Sequence, residues 1–188
     1  MNKLLTMAFA AALVTACAAP VSNERNEKTV FVTSESFNGD LGGLKGADDK
    51  CQAQADGLAS IVPSGTYLAW LSDGTDSPNT RFTKSSYPYL LPDGTKIAEN
   101  YTDLTDGSIQ HFINIDPTGK TVAQNHFWTG TNEDGTSAQS IRVCAGWMDL
   151  YTNARGMIGS TGHTLTTWSS QSQAKCSTTR QRLACFQQ

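Results

Sequence analysis

The sequence has few of the residues that carry catalysis, and they share no spacing typical of an active site. Its three histidines, His111, His126 and His163, form no motif with one another or with a cysteine. Neither the Gly-x-Ser-x-Gly turn of serine hydrolases nor the His-Glu-x-x-His of zinc peptidases occurs. The glycine-rich stretch at 38–43 lacks the pattern and the Gly-Lys-Ser/Thr ending of a phosphate-binding loop. We therefore predict a non-enzymatic protein that needs no cofactor.

Charge and metal-binding patterns are also scarce. Only 16% of the residues are charged and the formal net charge is −3, which argues against nucleic acid as a partner. No Cys-x-x-Cys pair is present, so a zinc site is not predicted. The run Asn132–Asp134 offers oxygen ligands for calcium, but turn formation before Gly135 is the simpler explanation of these residues. We predict no metal site and leave calcium at this run open.

The only long apolar run is near the start of the chain. It extends from Leu4 to Val14 after the basic Lys3, which is typical of a secretory signal and too short to span a bilayer. The small residues before Cys17 resemble the lipobox of bacterial lipoproteins, whose cysteine is diacylated and becomes the new N-terminus. Ala18 resembles the residue that follows this cysteine in lipoproteins sorted to the outer membrane. Ordinary cleavage, with an incidental Cys17, is the alternative.

The chain therefore divides into three parts. Residues 1–16 are the predicted signal peptide, and residues 17–28 are the lipidated Cys17 with a polar, aperiodic tether. Residues 29–188 have the length of one ordinary domain. The membrane is thus one predicted partner, through the lipid anchor. No oligomeric state is indicated.

Four further cysteines lie in the domain, and export favours their pairing as disulfides. Cys51, Cys144, Cys176 and Cys185 allow three pairings, between which spacing does not choose.

The predicted elements are one helix and several short strands. The helix covers Gly46 to Asp56, and Ala47, Cys51, Ala55 and Leu58 share one face of it. We expect Asp48 and Asp49 in its first turn and Gly57 after its end. The tryptophans are predicted to be buried anchors, and the stretch from Trp147 to Cys176 is predicted to be long loops. The strands are predicted at Thr29–Thr33, Thr66–Ser72, Phe127–Thr129 and Arg182–Phe186, with tight turns at the four Asp-Gly pairs 73–74, 93–94, 106–107 and 134–135.

Positive charge is concentrated towards the C-terminus. From Ile141 onwards, five basic residues face only one acidic residue, Asp149, whereas the preceding part is acidic. They could form a ligand-binding patch with the loops between Gly130 and Lys175. Scattered, solvated side chains are the alternative interpretation. The five candidates are Arg142, Arg155, Lys175, Arg180 and Arg182.

A family resemblance covers nearly all of residues 29–188. The segment Asn38–Gln52, with its glycine-rich turn and Gly46-Ala47-Asp48-x-x-Cys51, resembles the endostatin-like branch of the C-type-lectin-like fold. The resemblance continues through Gly65–Ser72, Trp128–Thr131, Cys144-x-x-Trp147 and the final Cys176 and Cys185. It is most similar to bacterial endostatin-like lipoproteins, including the leptospiral ones, which carry the same lipobox.

This resemblance implies an α+β, C-type-lectin-like fold with long loops and two disulfides, Cys51–Cys185 and Cys144–Cys176. Members of the family are associated with binding extracellular-matrix proteins, plasminogen and complement regulators. The N-terminal zinc-binding histidines and the clustered arginines of endostatin are absent, as are the sugar-binding calcium motifs of true C-type lectins. We expect an adhesin-like, outer-membrane surface lipoprotein that binds host extracellular-matrix or serum proteins. A periplasm-facing envelope lipoprotein with a structural role is the alternative.

Overall fold

The computed structural model describes residues 26–123, 125–148 and 153–188. The predicted signal peptide, the predicted lipidation site Cys17 and the tether as far as residue 25 lie outside the described residues. Within the described ranges, no helix is long and apolar enough to cross a membrane. This part of the chain is a mixed structure of one sheet, a few helices and two disulfides, which confirms the α+β class.

Eight strands form one mixed sheet, and the last strand of the chain lies near its centre. The strand order is β4-β3-β1-β8-β5-β6-β7, and β2 also pairs with β8. Strand β8 is central because Leu183 to Phe186 is a continuous run of fully buried residues, as expected for a strand covered on both faces. The strands are β1 (Lys28–Val32), β2 (Tyr67–Ala69), β3 (Tyr89–Leu90), β4 (Lys96–Ala98), β5 (His126–Trp128), β6 (Arg155–Ser160), β7 (Ser172–Lys175) and β8 (Arg182–Gln187).

The helices are short, apart from the first. The α-helices are α1 (Gly43–Ala55), α2 (Pro78–Arg81) and α3 (Tyr101–Leu104), and single 3₁₀ turns cover Ser140–Arg142 and Thr166–Trp168. The segment Cys144–Trp147 also has helical hydrogen bonding, but its backbone is left-handed and it is described with the candidate site.

Two apolar clusters lie on opposite faces of the sheet, as the alternation of side chains along β1 and β8 requires. Trp70 and Trp168 belong to the cluster that also contains Phe186. Trp128 and Trp147 belong to the other, which also contains Leu183. All four tryptophans are fully buried, which confirms that they are core residues.

Helix α1 packs as predicted on one face but begins earlier than predicted. Ala47, Cys51 and Ala55 are buried, whereas Leu58 is fully exposed because the helix ends at Ala55. The prediction of Leu58 on the buried face was therefore wrong. Asp56, and not Gly57, provides the C-terminal capping contacts.

The two aspartates of α1 do not lie in its first turn, contrary to the prediction, because the helix begins at Gly43. Asp48 instead accepts the Ala69 N–H at 2.9 Å and forms an ion pair with Arg81. Burial raises the pKa of the Asp48 carboxyl above its ordinary value, although these two partners act in the opposite direction. Asp49 pairs with Lys45 on the exposed face of the helix.

The disulfides are Cys51–Cys185 and Cys144–Cys176, the pairing that the family resemblance implied. The first joins α1 to the central strand β8. The second joins the left-handed segment to the end of β7.

The stretch from Trp147 to Cys176 was wrongly predicted to be only loops. It contains β6 and β7, an antiparallel pair, and the 3₁₀ turn at Thr166–Trp168. The sequence of this stretch does not show the apolar alternation of a strand. One reason is that β6 contains two glycines, Gly156 and Gly159, at closely packed positions of the core.

The Asp-Gly pairs were predicted correctly as turns. Their glycines at 74, 94, 107 and 135 all have a positive φ, and Gly94 lies in the turn between β3 and β4. The predicted strands are present, with ends that differ by at most three residues from the predicted ones.

Candidate functional site

The most unusual local structure in the described residues is the left-handed turn at Cys144–Trp147. Its four residues have φ values of 47°, 52°, 73° and 64°. The Trp147 N–H donates to the Val143 carbonyl oxygen at 2.9 Å, which closes one helical turn. Left-handed helical backbone costs roughly 1–2 kcal/mol for each residue other than glycine, and only Gly146 avoids that cost.

Tertiary contacts hold this turn at both ends. Cys144 is bonded to Cys176, and the Trp147 indole N–H donates to the Ser72 carbonyl oxygen at 2.6 Å. The Trp147 carbonyl oxygen accepts the N–H groups of Leu41 and Gly42 at 2.9 and 3.1 Å. These contacts fix the turn against the start of α1 and the core, so its strained backbone is maintained by its surroundings.

The Cys144–Cys176 disulfide is enclosed by two glycines. A Cβ atom on Gly39 would lie 2.6 Å from Cys144 Sγ and 2.6 Å from Cys176 Cβ. A Cβ atom on Gly156, in β6, would lie 2.7 Å from the same sulfur and 2.9 Å from the ring of Trp147. The close approach of two backbone segments to the sulfur atoms explains why these positions lack side chains.

Apolar side chains project into solvent on both sides of the turn. Ile141 is 74% exposed and Met148 is 69% exposed, and Ala145, within the turn, is also exposed. Isolated exposed apolar residues are common, but here two large ones flank one rigid turn.

Three of the five predicted basic residues lie beside this turn. Arg155 on β6 and Lys175 on β7 are direct cross-strand partners, and both are exposed. Val143 bridges to Gly156 in antiparallel orientation, so Arg155 lies opposite Cys144, the first residue of the turn, and Arg142 directly precedes the bridging Val143. We call Ile141, Arg142, Ala145, Met148, Arg155 and Lys175 the turn surface.

The other two predicted residues have structural contacts of their own. The Arg182 guanidinium donates to the carbonyl oxygens of Thr33 and Ser34, and that of Arg180 donates to the Ser36 carbonyl oxygen. Both therefore fasten the chain after β1 to the start of β8. Cys176, which follows Lys175 of the turn surface, also contacts the chain after β1, because its carbonyl oxygen accepts the Gly39 N–H.

No acidic residue in the described part of the chain forms an ion pair with any of the five basic residues. The ion pairs there are Lys45–Asp49, Arg81–Asp48 and Lys96–Glu99, all remote in sequence from these residues. Asp149, the one acidic residue of this C-terminal part, lies outside the described residues. Like charges placed directly opposite each other, as at Arg155 and Lys175, repel, so an anionic partner would relieve an unfavourable pair.

The run Asn132–Asp134, where calcium was left open, makes turn contacts. Asp134 accepts the N–H and hydroxyl of Thr136, and Glu133 accepts the Ser170 hydroxyl. Among the residues that the structure describes, no group of three or more His, Cys, Asp or Glu side chains could hold a metal ion.

A groove of about 770 Å³, open to solvent, is lined by residues between Lys84 and Asp106, none of which belongs to the turn surface. Two of its carboxylates hold local structure: Asp103 accepts the Glu99 N–H, and Asp106 accepts the Ser108 N–H. Burial raises the pKa of the groove residue Tyr101, which keeps its phenol protonated. No histidine lines this groove. His163 contacts the Thr167 hydroxyl, and His111 contacts the carbonyl oxygen of the adjacent Phe112.

Sequence reasoning located the basic residues but missed the apolar members of the turn surface and the left-handed turn itself. The Gly146 between Ala145 and Trp147 was the only local signal of an unusual backbone.

Comparison with known proteins supplies the family. No curated protein matches the chain. The family described as "protein of unknown function (DUF1554)" matches residues 34–164, a stretch that includes α1, Cys144 with the left-handed turn, and both Gly39 and Gly156. Since this match covers more than half of the sequence, the chain belongs to that family of proteins of unknown function.

Proposed function

We propose that this protein is a lipid-anchored binding module of the outer-membrane surface, which binds an extracellular macromolecule without catalysis. The observation that carries the proposal is the turn surface. It combines two exposed apolar side chains, Ile141 and Met148, with basic side chains that have no ion pair within the described residues. Such a combination is typical of a contact surface in which an apolar centre is surrounded by charge.

Rigidity of the turn supports this function. A disulfide and the buried Trp147 hold a backbone that is unfavourable by itself. Strained backbone persists where the surrounding structure determines it, and it is concentrated at functional sites. A surface that is already ordered before binding loses less conformational entropy when it meets its partner.

The anchored end of the domain and the start of β8 lie at opposite ends of the central strands. The tether reaches the domain at Lys28, the first residue of β1, and the C-terminus lies beside it because β8 is antiparallel to β1. Arg182 lies at the opposite end of these strands, beside Thr33. A five-residue strand spans about 16 Å at 3.3 Å per residue, so Arg182 is separated from the anchored end along the strand direction.

The fold and ligand class follow from the family resemblance and belong to the same proposal. We take the domain to be C-type-lectin-like and of the endostatin-like type, with matrix proteins, plasminogen or complement regulators as candidate ligands. The charge of the turn surface favours an acidic region of such a ligand.

Binding is tested best with a variant that removes charge and keeps the fold. In the variant Arg142→Ser/Arg155→Ser/Lys175→Ser, each lost surface charge should weaken binding by about 0.5 kcal/mol, or about tenfold together. Arg180 and Arg182 are left intact because their guanidinium groups hold the backbone. The matched control, with the same change in net charge, replaces the exposed lysines Lys45, Lys84 and Lys120 with serine.

Surface plasmon resonance on immobilised matrix proteins and plasminogen measures the effect. Wild-type binding should weaken as the Debye length falls from about 10 Å at 0.1 M salt to about 3 Å at 1 M salt. Equal affinities for the turn-surface variant and the control would remove the turn surface from the proposal.

The anchor and its orientation are tested on cells. Cys17→Ala should move the protein out of the detergent phase in phase partitioning, because the acyl chains are its only proposed anchor. Protease added to intact cells should cleave the wild type. Full protection would contradict surface exposure and favour the periplasm-facing alternative.

A further inference from the structure

Strand β7 is an exposed edge of the sheet. It pairs with β6 on one side, and no described strand lies on its other side. Ser172, Gln173 and Lys175 are exposed, and only Ala174 is buried. Edge strands present unpaired backbone groups that can accept a further strand.

The register shows which backbone groups point outwards. The Cys176 N–H donates to the Ala154 carbonyl oxygen at 3.0 Å, so this pair is hydrogen-bonded across β6 and β7. Hydrogen-bonded and non-hydrogen-bonded pairs alternate in an antiparallel ladder. The pairs Arg155/Lys175 and Met157/Gln173 are therefore non-hydrogen-bonded.

A contact on the far side of β6 agrees with this register. The Met157 carbonyl oxygen accepts the Thr129 N–H at 3.0 Å, so the backbone of Met157 faces away from β7. The N–H and C=O of Gln173 and the N–H of Lys175 consequently point out of the sheet. The Lys175 carbonyl oxygen is already used, since it accepts the Thr179 N–H at 3.2 Å.

Positive charge lies directly on this edge. Side chains approach most closely in non-hydrogen-bonded pairs, and Arg155 and Lys175 form such a pair. A second copy of this chain would bring the same positive charges to the edge, whereas an acidic strand would neutralise them.

From this combination we infer that β7 binds an extended acidic segment of a polypeptide, which adds to the sheet as a further antiparallel strand. This inference deepens the proposed function and rests on it. The partner residue opposite Gln173 exchanges two backbone hydrogen bonds with it. The partner residue two positions away lies opposite Lys175, and its carboxylate meets the Lys175 and Arg155 head groups. Main-chain bonds supply affinity and the alternate acidic side chains supply specificity.

The test uses a fluorescently labelled octapeptide of alternating Thr and Glu as the probe, with fluorescence anisotropy as the readout. Gln173→Pro removes the outward N–H but breaks no β6–β7 bond, because that N–H does not face β6. It should weaken peptide binding about fivefold or more, the equivalent of one lost hydrogen bond. Gln173→Ala, the matched control, should bind like the wild type, and Lys175→Glu should bind more weakly than Lys175→Gln.

A second measurement does not depend on the folding of the proline variant. An octapeptide of the same sequence, N-methylated at alternate residues on its pairing edge, should fail to bind the wild-type protein. Equal binding of the methylated and unmethylated peptides would overturn strand addition.

The results also separate this inference from the proposed function. Loss of matrix-protein binding in Arg142→Ser/Arg155→Ser/Lys175→Ser, together with full binding by a folded Gln173→Pro variant, would retain the binding function and reject strand addition. Binding of heparin, a sulfated polysaccharide, without binding of the Thr-Glu peptide would likewise reject a polypeptide strand as the ligand.

Discussion

Replacing Gly39 with alanine would place one methyl group against the Cys144–Cys176 disulfide. The new Cβ atom would lie 2.6 Å from Cys144 Sγ, 2.6 Å from Cys176 Cβ and 2.9 Å from Cys176 Cα. Neither side can move away easily, because the sulfur is covalently fixed and Cys176 Cα is part of the backbone. Gly39 is also held in place, since its N–H donates to the Cys176 carbonyl oxygen at 2.8 Å.

The size of the effect follows from this overpacking. An extra methyl group in a closely packed site costs about 1–3 kcal/mol, and we expect about 3 kcal/mol because both neighbours are fixed. In a domain of this size, 1 kcal/mol lowers Tm by about 2–4 °C, so the expected decrease is about 6–12 °C.

Urea unfolding of the oxidised protein, followed by tryptophan fluorescence, measures the loss. The control is Gly146→Ala, because Gly146 has a φ of +73° but no heavy atom within 4 Å of its added Cβ. The control should lose only the backbone term, about 1–2 kcal/mol. If Gly39→Ala is no more destabilising than Gly146→Ala, the close packing of Gly39 on the disulfide is refuted.

Three further predictions concern stability. Cys144→Ala/Cys176→Ala removes a disulfide between residues that are 32 positions apart. The chain-entropy model predicts that the free energy of unfolding, measured in urea, decreases by about 3–4 kcal/mol. An unchanged urea midpoint would show that the bond does not stabilise the fold. Arg81→Met leaves the partly buried Asp48 carboxylate without its ion-pair partner and should lower the free energy of unfolding by about 2 kcal/mol at neutral pH; the double variant with Asp48→Asn should recover part of the loss, and no recovery would contradict the pairing. Burial acts to raise the pKa of Asp116, but hydrogen bonds from Thr118, Lys120 and Ser34 outweigh it and hold that pKa below its ordinary value. The carboxylate therefore stabilises the fold above the unfolded-state pKa of about 3.9, and this stabilisation is lost as the pH falls through the folded-state pKa. Asp116→Asn should thus have a lower free energy of unfolding than the wild type at neutral pH, and the difference between the two proteins should become smaller in acid. A difference that stays constant with pH in urea unfolding would contradict this.

Short-range signals in the sequence were sufficient for several elements. The spacing of Ala47, Cys51 and Ala55 identified the buried face of α1, because the helical period brings these residues together whatever the rest of the chain does. The Asp-Gly pairs marked turns because glycine adopts a positive φ without steric cost. The start of α1 was misplaced, because the capping positions at Gly42 and Gly43 lie in a glycine-rich run with several possible first residues.

Longer-range packing accounts for the predictions that failed. Strands β6 and β7 have little apolar alternation, since Gly156 is required by the nearby disulfide and Gly159 by the Trp168 backbone. The aspartates of α1 were expected to interact with the helix dipole in the first turn. Asp48 instead accepts the Ala69 N–H and pairs with Arg81, and both partners are distant in sequence and brought near only by the fold. The basic residues were identified from composition, which does not show the role of each. Arg180 and Arg182 donate to backbone carbonyl oxygens. Arg155 and Lys175 instead pair across β6 and β7, near the sheet edge.

The sequence by itself determined the buried face of α1, the even set of four domain cysteines, the buried tryptophans and the excess of positive charge after Ile141. These properties depend on residue type and local period, which survive in any arrangement of the chain. The tertiary structure alone decided the left-handed turn at Cys144–Trp147 and the juxtaposition of Arg155 with Lys175. The reason is energetic, because a turn whose backbone is unfavourable locally can exist only where a disulfide, a buried indole and close glycine contacts compensate for it.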